Sequence, residues 1–255
     1  MAFQLVVNFG VVLFGLALGS FLNVVIYRLM HGGSVALGRS ACPHCKKTLA
    51  PADLIPLASF VALGGRCRSC KKPISWQYPL VEFLTAVLTL VLWNAYGLTL
   101  EWALAVALLA FLIVTFTIDL RYRVILDGVV FSAMIVATLL SLVQGRTAES
   151  LLLGAGIGFA FFFLQYAISK GRWIGGGDIR LGVLIGLALG WKGALLALVL
   201  AYLSGSVIAI TLVATKKRAW KDPIPFGTFL TAATVTALLA GDQIIAWYLK
   251  LPLLF

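Results

Sequence analysis

Acidic residues are scarce in this chain: nine of 255 are Asp or Glu, against 20 Lys and Arg. Charged residues of both signs reach only 11%, too few for the solvated surface of a soluble globule. With 62% hydrophobic residues and a mean hydropathy of +1.04, the composition is that of a polytopic membrane protein. No Lys or Arg precedes Arg28, so the first apolar stretch lacks the basic segment of a cleaved signal peptide. It is expected to remain as a membrane span. No GxxxxGK followed by Ser or Thr accompanies the glycine run at 175–177, which excludes a phosphate loop there. Almost no charge falls near the middle of the later apolar stretches, which weakens an ion-carrier reading.

What is present is length. A bilayer core of roughly 30 Å needs about 20 apolar residues per helix. The chain then reads as an all-α protein of about eight transmembrane helices, at 4–27, 79–96, 102–118, 127–144, 150–168, 179–191, 193–214 and 226–249. Only Gly190-Trp-Lys-Gly193 separates the sixth from the seventh. If the segment 28–78 is cytoplasmic, alternation puts 17 basic residues inside, among them Arg28, Arg121, Arg123, Arg180, Arg218 and Lys221. Three are left outside: Arg146, Lys192 and Lys250. That bias is the positive-inside rule, so the basicity reports topology and not a nucleic-acid partner. Both termini then face outward.

The same topology brings Asp119, Asp127 and Asp178 to the cytoplasmic boundary. Ionisable groups at such depth mark functional sites by default. Two readings stand. Asp127 and Asp178 lie where a carboxylate caps a helix N-terminus. Asp119 ends a span, where the helix dipole disfavours a negative charge, so capping does not account for it, although pairing with Arg121 or Arg123 would. On the functional reading, Asp119 and Asp178 are an aspartyl protease dyad that shares one proton, activates water and protonates the leaving amine. Gly175, Gly176 and Gly177 permit positive φ and close backbone approach, and on that reading offer a strip on which an extended peptide can lie.

The segment 28–78 carries all four cysteines. Cys42-Pro-His-Cys45 and Cys67-Arg-Ser-Cys70, 21 residues apart, have the spacing of a zinc ribbon with four thiolate ligands. A reducing cytoplasm argues against disulfides. Four thiolates leave no open coordination position, so zinc is expected as a structural staple. His31 and His44 are not needed as ligands. The chain thus divides into a first span (1–27), a cytoplasmic cysteine loop (28–78) and a multi-helix membrane domain (79–255). Gly15 and Gly19 form a GxxxG expected to pack helices, Asn23 is expected to bond between helices, and Glu82 to pair with a nearby Lys.

In this order the motifs resemble those of bacterial type IV prepilin peptidases, the bifunctional leader peptidases and N-methyltransferases of the GxGD aspartyl protease family. The resemblance rests on Leu18-Gly-Ser-Phe-Leu-Asn-Val-Val-Ile-Tyr-Arg28, the paired CxxC motifs, Asp53-Leu-Ile-Pro56, Ile74-Ser-Trp-Gln-Tyr-Pro-Leu-Val-Glu82, Asp119-Leu-Arg, Gly175-Gly-Gly-Asp178 and Pro225-Phe-Gly227. It implies a membrane endopeptidase of the bacterial inner membrane that removes the leader of prepilins and pseudopilins after a glycine, at the cytoplasmic face. It implies methylation of the new N-terminus with S-adenosylmethionine. By resemblance Asp119 and Asp178 are the catalytic pair, and Asp127, Gly175 and Gly177 support them. The cysteine loop and the polar residues Asn23, Asp53 and Glu82 are candidates for the methyl-donor site by resemblance only. The alternatives are a peptidase without methyl transfer and a zinc-stapled carrier. Met30, Leu126, Arg180 and Thr228 depart from the family pattern, with Thr228 standing where proline is frequent.

Overall fold

A computed structural model of the chain describes residues 2–35, 37–217, 219 and 224–250. Arg218, Lys221 and Asp222, which the topology above places on the cytoplasmic side, lie outside the described residues. Among the described residues the elements are α1 (Ala2–His31), a 3-10 turn (Pro51–Leu54), α2 (Ala58–Ala62), α3 (Gln77–Tyr96), α4 (Leu100–Tyr122), α5 (Asp127–Val143), α6 (Ala148–Ser169), α7 (Gly176–Ala214) and α8 (Phe226–Lys250). In hydrocarbon a helix is the single-segment structure that satisfies its own backbone, so long apolar runs fold this way. Six of these helices are long and apolar enough to cross a membrane, and α5 is a shorter apolar helix. The protein is a multi-pass membrane protein.

The 39 residues of α7 are two helices. At Gly190 the backbone turns non-helical, with φ 66° and ψ −178°. Gly182 packs on Gly158 and Phe162 of α6, while the Tyr202 hydroxyl donates to Gln165 of the same helix at 2.9 Å. A straight helix would hold residues 182 and 202 about 30 Å apart. The arms 176–189 and 191–214 therefore run antiparallel, as the two closely spaced spans required. Carbonyls freed at the end of the first arm are satisfied from α5 and the turn after it. Ser141 Oγ donates to Leu187 and Ala188 at 2.8 and 3.0 Å, and Arg146 Nη1 to Ala188 at 2.9 Å.

The chain divides into two compact units, residues 1–102 and 103–255. In the first, α1 packs on α3 through the GxxxG. A Cβ on Gly15 or Gly19 would lie 2.6 Å from the Cα of Ala86 or Glu82 respectively. Asn23 joins the same two helices, donating to the Tyr78 carbonyl at 3.1 Å and accepting from Gln77 at 3.2 Å.

In the second unit the closest packing lies between α6 and the first arm of α7, with glycine on both sides. A Cβ on Gly158 would lie 2.0 Å from the Gly182 carbonyl oxygen, and one on Gly186 would lie 2.1 Å from the Gly154 carbonyl carbon. Helix α6 enters on a Thr147 hydroxyl that accepts from Ser150 N–H, and leaves through left-handed Lys170, with Gly171 N–H reaching the Tyr166 carbonyl. Its register, and with it the start of α7, is pinned by backbone contact.

Candidate active site

Asp119 lies in the last turn of α4 and Asp178 in the first turn of α7. Both are buried, 4% and 8% exposed. A third element joins them at one end of the second unit. The start of α8 inserts Gly227, where a Cβ would lie 2.9 Å from Asp119 Oδ2 and 3.1 Å from Leu181, one turn beyond Asp178 on α7.

Each carboxylate meets backbone donors at a helix N-terminus. Asp119 Oδ2 accepts from the Thr228 backbone N–H at 2.7 Å and from the Thr228 hydroxyl at 3.1 Å. That N–H belongs to the first turn of α8, where backbone donors have no intrahelical partner. The unfavourable position of Asp119 at the end of its own helix is thus offset by the favourable end of another. Asp178 Oδ2 accepts from the Gly175 N–H at 3.1 Å, closing the N-terminus of its own helix. The capping expected of Asp178 is therefore present, but it occupies one oxygen. Its Oδ1 is buried with no hydrogen-bond partner among the described residues.

The other site residues fall as follows. Gly175 is extended at φ −81°, and Gly176 and Gly177 already belong to α7; none of the three has positive φ. The expected flexible strip is instead the first turn of a helix. Gly177 matters for space, since a Cβ there would lie 2.7 Å from Ile125. Asp127 opens α5 but its side chain does not cap it; its carboxylate pairs with Arg180, two residues past Asp178, and both groups are about half exposed. Glu82 accepts the Leu57 N–H at 2.9 Å, in place of the expected Lys partner.

Cys42, Cys45, Cys67 and Cys70 lie together, with all four Sγ atoms within 4.8 Å of one another and Cys42 3.9 Å from Cys70. Tetrahedral thiolate ligation needs sulfurs about 3.8 Å apart, so the cluster can bind a metal ion. It is built as a repeat. Lys46 N–H bonds to Cys42 and Cys42 N–H to Lys47; 25 residues on (67 − 42), Lys71 N–H bonds to Cys67 and Cys67 N–H to Lys72. Lys46 and Lys71 share the same left-handed φ of 59°. The bridges Ala41 to Thr48 and Arg66 to Pro73 close the two turns. Backbone N–H groups of Cys70 and Ser69 hold the Cys67 thiol down at about 6, as metal-binding turns do. The pair Arg68–Asp53, at 2.8 Å, ties the second turn to the segment after the first, and that guanidinium lowers the Asp53 carboxyl.

The candidate methyl-donor residues all make hydrogen bonds within the first unit. Asn23 is taken up between α1 and α3, Asp53 by Arg68 and the Ala50 N–H, and Glu82 by Leu57. These hydrogen bonds tie the three residues into the fold of the first unit.

Sequence reasoning passed over Thr228 as a departure and overlooked the α6–α7 glycines altogether. The glycines had a signal, the four-residue spacing of Gly154 with Gly158 and of Gly182 with Gly186 and Gly190. The Thr228 contact had none, because its partner is 109 residues away.

Comparison with known proteins agrees with this layout. Residues 13–96 match the bacterial peptidase A24 N-terminal domain and residues 106–210 the type IV leader peptidase family. A prepilin leader peptidase/N-methyltransferase of Bacillus subtilis (strain 168) is 36% identical over 244 residues, covering 94% of this chain and 97% of that protein. Proteins of the same name from Aeromonas hydrophila and Pseudomonas aeruginosa are 34% and 32% identical, each over 94% of this chain and 92% of their own length. No solved structure matches the chain. This chain belongs to the type IV leader peptidase family.

Proposed function

We propose that this protein is a membrane aspartyl endopeptidase that removes the leader of prepilins and pseudopilins and then methylates the new N-terminus. Asp119 and Asp178 are its catalytic pair. The observation that carries this is the burial of both carboxylates at one end of one unit, bridged by the first turn of α8. Two neighbouring buried carboxylates share a proton, because both cannot ionise cheaply. Asp119 Oδ2, accepting two hydrogen bonds, suits the ionised member, and the unpartnered Asp178 Oδ1 is an oxygen free to carry the proton. The ionised carboxylate takes a proton from water, whose oxygen attacks the scissile carbonyl carbon. The protonated one donates to the carbonyl oxygen. Collapse breaks the C–N bond, and the pair returns a proton to the leaving amine.

Charge supports a cytoplasmic position for this end. Arg121, Arg123, Lys170, Arg172 and Arg180 all lie close in sequence to Asp119 or Asp178, while Arg146 and Lys192 flank the opposite end of the first arm of α7. In a bacterium this orientation suits the inner membrane. The cysteine loop is a closed four-thiolate zinc site that stabilises its own fold, and no reaction step needs it. Methyl transfer rests on the name shared by the relatives and is assigned to no residue.

The test is cleavage of a prepilin in membranes carrying Asp119→Asn or Asp178→Asn. Each variant should lose about 1000-fold or more in rate, as removal of a reacting group does. Full processing by either would sink the assignment.

A further inference from the structure

Asp119 is held by one residue on a distant helix, and that residue meets it twice. Thr228 is 6% exposed and sits in the first turn of α8. Its backbone N–H and its hydroxyl both reach Asp119 Oδ2, at 2.7 and 3.1 Å. Two donors converging on one oxygen fix both the position and the rotation of a carboxylate. Gly227 leaves room for the same oxygen, since a Cβ there would lie 2.9 Å from it. Below, the Thr231 hydroxyl donates to the Thr228 and Gly227 carbonyls, at 3.1 and 2.9 Å, so the turn that carries the donors is itself tied down.

We propose that Thr228 is the positioning residue of Asp119: it anchors Oδ2 and leaves Oδ1 as the oxygen presented to water and to Asp178. The proposal rests on Asp119 being a member of the catalytic pair. The Thr228 hydroxyl does not touch substrate; it acts through the carboxylate. Of its two donors, the backbone N–H is available to any residue except proline, whereas the hydroxyl requires Thr or Ser. The two contributions can therefore be separated by substitution.

The experiment uses the full chain in detergent or nanodiscs, with a purified prepilin as substrate. Thr228→Val keeps shape and the backbone N–H but removes the hydroxyl. We expect kcat to fall about 10-fold or more, the worth of a hydrogen bond to a charged group, with KM unchanged. Thr228→Ser restores the hydroxyl and should recover kcat to within about threefold. Melting temperature is followed in parallel, and equal folding of the Val and Ser variants isolates the hydroxyl.

Thr228→Val with unchanged kcat would overturn the proposal. So would a loss that Thr228→Ser does not recover, which would make the position one of packing, or a rise in KM at constant kcat, which would make it a substrate contact. Asp119→Asn is run beside these variants. If Asp119→Asn is inactive while Thr228→Val is normal, the positioning role alone fails; if Asp119→Asn cleaves normally, the dyad itself fails.

Discussion

The cysteine loop and the aspartate site both hold reactive side chains at fixed separations, and they do so by different routes. In the loop each cysteine pair is set by backbone bonds that span four to nine residues, from Cys42 to Lys46 and from Ser40 to Leu49, and the whole turn is repeated 25 residues later (67 − 42). In the aspartate site the decisive bonds run from α4 to α8, 109 residues apart, and the start of α7 is located by α6 glycines that touch neither carboxylate. A locally built site is damaged by changes within its own stretch. A site built by tertiary packing is damaged from far outside it.

The sharpest break of that comparison is Cys42→Ser. Removing one of four thiolates should reduce bound zinc from about one equivalent to near zero, since such sites bind with roughly 10–16 kcal/mol. The loop at 39–74 should then become sensitive to protease, while prepilin cleavage by the second unit persists within about tenfold, because every residue assigned to hydrolysis lies beyond residue 102. Metal analysis and limited proteolysis check the first part, and a cleavage assay the second. Cleavage lost in parallel with the metal would show that the two regions are not separable.

Next in size is a substitution remote from both carboxylates. Gly158→Ala would place a methyl 2.0 Å from the Gly182 carbonyl oxygen, a backbone atom that cannot rotate aside. The expected cost is about 3 kcal/mol of stability. Because Gly182 lies one turn past Asp178, cleavage should fall by roughly 10-fold to 100-fold, as small displacements of reacting groups do. Gly156→Ala on the same helix is the control. Its Cβ meets nothing within 4 Å, so melting temperature should hold or rise slightly and the rate stay unchanged. Equal behaviour of the two variants would remove the packing account of how Asp178 is placed.

The same contrast decides what could be read from the sequence. The loop was legible because its signal is local: four cysteines at two short spacings predict a cluster, and the structure brings all four within 4.8 Å. The spans were legible from apolar length. Even the hairpin inside α7 was legible, although its two arms meet at one glycine with φ 66°. Asp119 and Asp178 were found because carboxylates are rare and costly in such a chain. Their support was not. Thr228 carries no mark of its role, since a threonine at a helix start is ordinary and its partner is chosen by tertiary packing. The glycines before Asp178 were given the wrong local conformation, because a run of three reads as a loop whereas two of them begin a helix whose other face Ile125 fills.

Asp127 offers the smallest expected effect and the finest test of the comparison. It was grouped with the pair by depth and by resemblance, as a supporting residue, and its carboxylate is ion-paired to Arg180 with both side chains about half exposed. An exposed pair of this kind is worth roughly 0–1 kcal/mol and is screened by salt. Asp127→Asn should therefore shift stability by less than about 1 kcal/mol and cleavage by less than about threefold. The double exchange Asp127→Arg with Arg180→Asp should recover part of that change at low salt and less at high salt. Cleavage rates at two ionic strengths measure it. A brace between the start of α5 and α7 behaves this way because it only steadies the turn that carries Asp178. A loss of about 100-fold in Asp127→Asn, on the scale of a general acid or base, would instead place a third carboxylate among the reacting groups.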